Sequence, residues 1–288
     1  MNMRIAVIGA NGQLGSDVVK AFALAGDEVL SLTHADIDLA SMDSVAARMQ
    51  EIRPEVVVNT AAMHHVENCE KDPALAFAVN GIGARNLAIA AKHSKATFIH
   101  VSTDYVFDGA KQSPYDEGDA PNPLNVYGNT KLAGEHFVRS TMDKHFVVRT
   151  SAIYGKSPCR GKGGLNFVEL MLKLARERGE VKVVDNEFVT PTSTAEIAKQ
   201  IVALSRSDAY GLYHATAEGS CSWYEFAQEI FALTKTPVKL HVAGPNEFPA
   251  KVPRPKYSVL ENNELKRRGL NVFRQWREGL SEYLSGNS

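Results

Sequence analysis

The chain has 288 residues, enough for one large domain or two unequal ones around a sizeable core. Its 33 acidic and 32 basic residues nearly cancel, so no net field favours nucleic acid or an anionic membrane as partner. Cys69, Cys159 and Cys221 are far apart and form no C-x-x-C pair, which speaks against a disulfide framework or a cysteine zinc site and fits a cytoplasmic location.

The opening "MNMRIAVIGANG" enters a strand-like run at 3–9 directly, so neither a signal peptide nor a membrane span is expected. A glycine-rich turn and an amphipathic helix near 13–25 follow, then a strand at "EVLSL" (28–32). "MDSVAARMQEI" (42–52) has helical periodicity, with Ser41 placed to cap it. "EVVVNTAA" (55–62) is a continuous β-branched run, as expected of a strand buried on both faces. Next come a helix near 73–93, a strand at "ATFIHVST" (96–103), a helix over 125–140 and a strand at "HFVVRTS" (145–151). Five strands alternating with helices predict a parallel sheet covered on both faces. The remainder is mixed. Helices are expected near 165–178, 194–205, 222–234 and 273–284, strands at 181–184, 211–216 and 238–242, and loops at 155–164 and 244–255.

Two stretches carry chemistry. The first strand ends in "GANGQLG", with Gly9, Gly12 and Gly15 in G-x-x-G-x-x-G spacing. Glycines there let the backbone turn tightly and approach a pyrophosphate, which then sits at the positive end of the next helix. The expected fold is therefore α/β: a Rossmann-type doubly wound parallel sheet over 1–150, with a smaller C-terminal substrate domain over 151–288. A segment at about 190–206 is expected to return to the first domain. An acid that would bond an NAD ribose normally ends the second strand. Here Thr33 and His34 occupy that place and Asp36 comes late. The cofactor is thus NADP(H) or NAD(H), with the absence of an acid at the strand end leaning toward NADP(H).

The second stretch is "PLNVYGNTKLAGE", in which Tyr127 and Lys131 stand four apart on one face of a helix. A nearby ammonium lowers a phenol's pKa, as proton exchange near neutrality requires. On spacing alone the pair is equally an ordinary helix surface.

Together "GANGQLG", "VVVNTAA", "VSTDYVFDG", "NVYGNTKLAGE" and "VVRTSAIYG" resemble, in order and spacing, the extended short-chain dehydrogenase/reductase superfamily. More narrowly they resemble the dTDP-4-dehydrorhamnose reductase family, which reduces a nucleotide-linked 4-keto-6-deoxy sugar on the way to dTDP-L-rhamnose. "GLNFVELMLKLA", "GLYHATAEGSCSWYEFA" and "PRPKYSVLEN" extend the likeness past residue 250. The resemblance implies Thr103 beside the sugar carbonyl, Tyr127 as the proton donor and Lys131 as its pKa-lowering partner and ribose contact. It implies cofactor contacts from Gly9, Asn11, Gly12, Gln13, Leu14 and Gly15, with Asp38 and Leu39 at the adenine and Ala61 and Ala62 along the cofactor. Asn80 resembles the superfamily's supporting helix asparagine. Asp104, His64, Val66 and Arg254 are the implied substrate contacts, and a homodimer is compatible with the family.

The chain departs from that pattern in places. Ala152 stands where the family has tryptophan in "RTSW", and "DNEFVTPT" replaces "DQ-x-G-x-PT". Both changes bear on the sugar more than on the reaction. "MHHVENCE" contributes two unusual histidines, read as cleft lining rather than as a metal site with Cys69 and Glu70. Cys159 reads as a loop cysteine, and Asp185 and Glu187 as strand-end acids. Cations for a substrate diphosphate are offered by Arg160 and Lys162 and by Arg254 and Lys256. Prolines on both sides of Arg254 favour it. A nucleotide-sugar epimerase with bound NAD uses the same Thr/Tyr/Lys set. A non-catalytic subunit like the regulatory subunit of methionine adenosyltransferase keeps the same fold.

Overall fold

The computed structural model describes residues 2–159, 163–244, 247–248 and 250–286. The expected apolar runs form β1 (Arg4–Ile8), β2 (Glu28–Leu32), β3 (Val56–Asn59), β4 (Thr97–Thr103) and β5 (His145–Thr150). The helices between them are α1 (Gln13–Leu24), α2 (Met42–Ile52), α3 (Val66–Lys71), α4 (Pro73–Ala76), α5 (Gly83–His93) and α6 (Val126–Thr141). Ser41 does cap α2, accepting the Ser44 N–H at 3.3 Å. Between α4 and α5, Phe77–Ile82 forms a π-helical turn around the buried Asn80. Such turns recur at functional sites because one extra residue per turn redirects a side chain. The continuous helix Pro73–His93 is long and apolar enough to cross a membrane by length and composition, and 56% of its most apolar stretch is buried within the protein.

The later elements are β6 (Ile153–Tyr154), α7 (Phe167–Arg178), β7 (Glu180–Val183), β8 (Phe188–Val189), β9 (Thr192–Ser193) and α8 (Thr194–Ser205). After them come β10 (Gly211–His214), β11 (Cys221–Ser222), α9 (Trp223–Thr234), β12 (Lys239–Val242), α10 (Asn263–Arg267) and α11 (Trp276–Ser285). Capping boxes at Asn166/Glu169 and Ser222/Glu225 start α7 and α9, and Gly179 ends α7 in the left-handed region at φ 69°.

The main sheet is all-parallel, in the order β10-β5-β4-β3-β1-β2. Order reverses between β1 and β3, and ligands of such sheets bind beyond the carboxyl ends of the strands at this switch point. One apolar core, with Val18, Phe22 and Ile201, covers one face, and a second, with Val45, Leu87 and Val138, covers the other. α8 packs across α1 within the first core. β10, from the second half of the chain, pairs with β5 as the edge of the main sheet. A third core, including Tyr154, Phe226, Trp276 and Leu280, gathers α7, α9 and α11.

One ion pair lies deep in this arrangement. Arg149 on β5 grips Glu135 on α6 through Nε (2.9 Å) and Nη2 (2.7 Å), with both side chains about 2% exposed or less. Ser102 Oγ donates to the same carboxylate at 2.5 Å, and the guanidinium lies over the Phe107 ring, 5.1 Å from its centroid. Breaking such a pair leaves an uncompensated buried charge. Arg149→Met should therefore lower unfolding stability by ~3–5 kcal/mol, measured by urea denaturation. A loss under about 1 kcal/mol, the scale of a surface pair, would contradict this account.

Candidate active site

The glycine turn after β1 is built by contacts that no side chain could enter. Gly9 has φ 78°, and a Cβ there would lie 2.9 Å from the Ala61 amide nitrogen. A Cβ on Gly15 would lie 2.1 Å from the Gly9 carbonyl oxygen, so Gly15 is what lets α1 pack against the strand end. Gly12 differs. It is the N-cap of α1, and a Cβ there would meet only the Gly9 oxygen, at 3.2 Å. No side chain caps the helix, so the first-turn amides face the cleft with the positive end of the dipole. Asn11 is exposed at the turn. Leu14 belongs to the core, so only its backbone is available to a ligand. Gln13 is buried, and its amide donates to the carbonyls of Gly155 (3.3 Å) and Ser157 (3.2 Å).

Around the turn, Asp36 accepts the Thr33 N–H (2.8 Å) and hydroxyl (2.7 Å), bonds that hold its carboxyl below the usual range. It thus folds back on the end of β2. Asp38 is exposed and accepts the Ala40 N–H at 3.0 Å, while the Leu39 carbonyl is held by Asn86 at 2.9 Å. Ala61 and Ala62 are half-buried after β3, with the Ala61 N–H bonded to Asn59 Oδ1 at 3.1 Å. Asn80 reaches from the π turn to pin both backbone groups of Met63 and to donate to Thr130 Oγ1 at 2.9 Å.

Beside that turn stand Thr103, Tyr127 and Lys131. Thr103 ends β4 and Asn125 caps α6 by accepting the Gly128 N–H at 2.9 Å. α6 lies so close to the sheet that a Cβ on Gly128 would be 2.3 Å from the Tyr105 oxygen, and one on Gly134 would be 2.6 Å from the Asn80 oxygen. The Tyr127 phenol lies near enough to the Thr103 hydroxyl to feel it, and meets the Tyr105 ring edge-on at 5.9 Å. Burial pushes the phenol well above its ordinary pKa, while the Thr103 hydroxyl pulls it down. The expectation that Lys131 lowers this pKa is not met here. Lys131 Nζ donates to the Val101 carbonyl at 2.6 Å and faces His100 Nε2 at 3.5 Å. Burial lowers the lysine itself to about 8, with Glu135 opposing.

The implied substrate residues divide. Asp104 is buried, and its carboxylate accepts from Thr103 (3.0 Å) and Ser151 (2.8 Å), so it braces Thr103 rather than facing the cleft. Val66 is buried at the start of α3. His64 is half-buried, its Nε2 3.7 Å from Cys159 Sγ. His65, Cys69 and Glu70 point to different partners: Glu67 at 3.3 Å, the Met63 carbonyl at 3.2 Å and the Val126 N–H at 2.8 Å. Arg254 is half-exposed and paired with Glu67 at 2.5 Å. Arg160 and Lys162 lie outside the described residues.

Residues 3–287 match the family described as "RmlD substrate binding domain". The chain belongs to that family. A curated relative, the spore coat polysaccharide biosynthesis protein SpsK of Bacillus subtilis, is 39% identical over 99% of this chain and 98% of its own. The crystal structure of a dTDP-4-dehydrorhamnose reductase from Clostridium acetobutylicum superposes with TM-score 0.93 and 41% identity, covering 98% of this chain and 99% of that one. That of the Bacillus anthracis reductase in complex with NADP gives TM-score 0.94 and 38% identity over 99% and 100%.

Within this RmlD-family site, several groups were not anticipated from the sequence. Glu70 on α3 accepts the first amide of α6, and Ser151 holds Asp104. Asn59 and His100 join the Ala61 turn to Lys131. The only local signal for them is a polar residue ending or interrupting a β-branched strand. The glycine turn supplies a test of the pocket. Gly12→Val should fold and lose NADPH binding, because among the described residues a Cβ there meets only the Gly9 oxygen, at 3.2 Å, whereas Gly15→Val, 2.1 Å from the same oxygen, should fail to fold. Fluorescence titration with NADPH and circular dichroism check both. Unchanged affinity in a folded Gly12→Val protein would make the turn purely structural.

Proposed function

We propose that this protein is an NADPH-dependent reductase of a nucleotide-linked 4-keto-6-deoxy sugar, acting as a dTDP-4-dehydrorhamnose reductase. The observation that carries the reading is the meeting of Thr103, Tyr127 and Lys131 beside the glycine turn at the carboxyl ends of β1, β3 and β4. The relatives named above support the same reaction and, through the NADP complex, the same cofactor.

A nicotinamide cofactor supplies the hydride when bound; the protein supplies position and a proton. Tyr127 presents its hydroxyl to a carbonyl oxygen, with Thr103, its own proton donated to Asp104, beside it. Tyr127 gives its proton to O4 as that oxygen gains negative charge. A phenol held well above neutrality stays protonated until then, which suits reduction better than a preformed phenolate. Asp104 and Ser151 fix the Thr103 rotamer, so the pair needs little reorganisation. At the far end of the cleft Arg254, restrained by Pro253 and Pro255, takes the substrate diphosphate, displacing Glu67.

Purified protein mixed with dTDP-4-keto-6-deoxy sugars should consume NADPH in the presence of the matching sugar. Stable NAD retained through purification, with no net NADPH consumption, would point to an epimerase instead. Tyr127→Phe should lose on the order of a hundredfold or more in kcat, with cofactor binding retained; near-normal turnover would remove Tyr127 from its role. Arg254→Ala should raise the substrate KM by the equivalent of ~1.5–3 kcal/mol, the scale of a charge-assisted bond, and leave NADPH affinity unchanged. A KM that does not move would return Arg254 to a purely structural pairing.

A further inference from the structure

His100 is a buried histidine in the middle of β4, below the site and out of reach of any substrate. Its two ring nitrogens have different neighbours. Nδ1 lies 3.2 Å from Asn59 Nδ2, and Nε2 lies 3.5 Å from Lys131 Nζ. The orientation of the Asn59 amide follows from the backbone, because its Oδ1 accepts the Ala61 N–H at 3.1 Å and its NH2 must therefore face the ring. An NH2 can only donate, so Nδ1 is the acceptor. The single proton of a neutral imidazole then sits on Nε2 and points at Lys131.

That arrangement has a consequence for the lysine. An ammonium at Nζ meets an N–H rather than a lone pair, whereas a neutral amine can accept it. Lys131 keeps one firm acceptor, the Val101 carbonyl at 2.6 Å. We propose that Asn59 and His100 are positioning residues that, by fixing the Nε2–H tautomer against Lys131, hold the lysine poised between its ammonium and amine forms so that it can pass a proton. The proposal rests on reading Lys131 as part of a reductase site. When Tyr127 has given its proton to O4, Lys131, one turn on along α6, gives one N–H proton to the phenolate oxygen, is left as the amine, and accepts the His100 N–H. Solvent then reprotonates it.

The charges around the pair agree. Burial and the neighbouring Lys131 hold the His100 ring well below its ordinary pKa, which keeps it neutral. Burial lowers Lys131 to about 8. From its own helix Lys131 faces Tyr127 one turn back and Glu135 one turn on, the latter favouring the ammonium but shared with Arg149 of β5. From β4 it faces His100, with Asp104 beyond Tyr127 at the strand end.

The direct test is nitrogen-15 NMR of the wild-type protein, with the His100 signals assigned by their loss in His100→Gln. A neutral ring protonated at Nε2 is expected; a ring protonated at Nδ1, or a doubly protonated ring near neutral pH, overturns the proposal. This readout needs no substrate, so its failure is separable from failure of the reductase reading. In Asn59→Asp the carboxylate still accepts the Ala61 N–H but now also accepts from Nδ1–H, which turns the Nε2 lone pair toward the ammonium and raises the lysine's pKa. A raised pKa keeps Lys131 protonated to higher pH, so the alkaline limb of the kcat pH profile should move up by about one unit, the size of a single hydrogen-bond or charge effect on a pKa. The same substitution placed in His100→Gln should leave the limb unmoved. A shift that persists there would mean the carboxylate acts through space, and the imidazole would have no part in it.

Discussion

The closeness of α6 to the sheet is the constraint on which the site depends. Gly128 lets the helix start against the Tyr105 carbonyl, and Gly134 lets its third turn rest on the Asn80 carbonyl and the His100 ring. With any larger residue at those places α6 would stand off by the width of a side chain, and Tyr127 and Lys131 would leave the strand ends. The helix is held from the other side as well. Glu70 accepts its first amide, Asn125 caps it, and Thr130 receives the Asn80 amide from the π turn. Each of these partners belongs to an element that also lines the cofactor turn or the cleft. The face of α6 that carries Tyr127 and Lys131 is thus placed by the same contacts that shape the pocket.

Close approach also sets the electrostatics. A helix pressed onto a buried parallel strand excludes water from the groups between them, and exclusion disfavours charge on each. The phenol is therefore pushed up and the lysine down, so two groups with similar ordinary pKa values are driven apart. The compensating charges lie deeper, in the Arg149–Glu135 pair with Ser102. Burying an ion pair is seldom a net gain in stability. Here its carboxylate favours the ammonium of Lys131 one turn away, a service that a hydrophobic pair of the same volume could not perform.

Much of this was legible in the sequence because it is local. β-branched runs of strand length, helical periodicity, Ser41 before α2 and the glycine spacing each carry their own physical meaning, and the strands and helices of the first half fall where those signals put them, except α3, which forms over a stretch that reads as a loop. The Tyr127 and Lys131 spacing is equally local. What could not be read is long-range. Asn59 meets His100 across 41 residues, and Glu67 meets Arg254 across 187. The direction of the Tyr127 shift also escaped the sequence, because a four-residue spacing shows that a lysine is near but not that it turns to a strand carbonyl instead. The strand beside β10 was not legible for a related reason: a short apolar run says strand, while its neighbour is chosen by the tertiary fold.

The pairing of Arg254 with Glu67 shows how such a cleft can remain stable without a ligand. A guanidinium between two prolines is aimed before anything binds, which lowers the entropy lost on binding but leaves a cation facing the cleft. Glu67 neutralises it through a half-exposed pair, and half-exposed pairs are weak. On the proposed reading, a diphosphate would offer more charge and several acceptor oxygens to the same fork, so the exchange would favour the ligand. The loop that carries Arg254 is also tied to α6, since Asn125 donates its side-chain N–H to the Pro253 carbonyl at 2.9 Å while capping the helix with its oxygen. One asparagine side chain therefore links the loop that would hold the nucleotide diphosphate to the helix that carries Tyr127. On the reductase reading, the distance between the diphosphate and the sugar carbonyl is measured against a frame whose two ends are joined by that amide and by α3, which pairs Arg254 through Glu67 and α6 through Glu70.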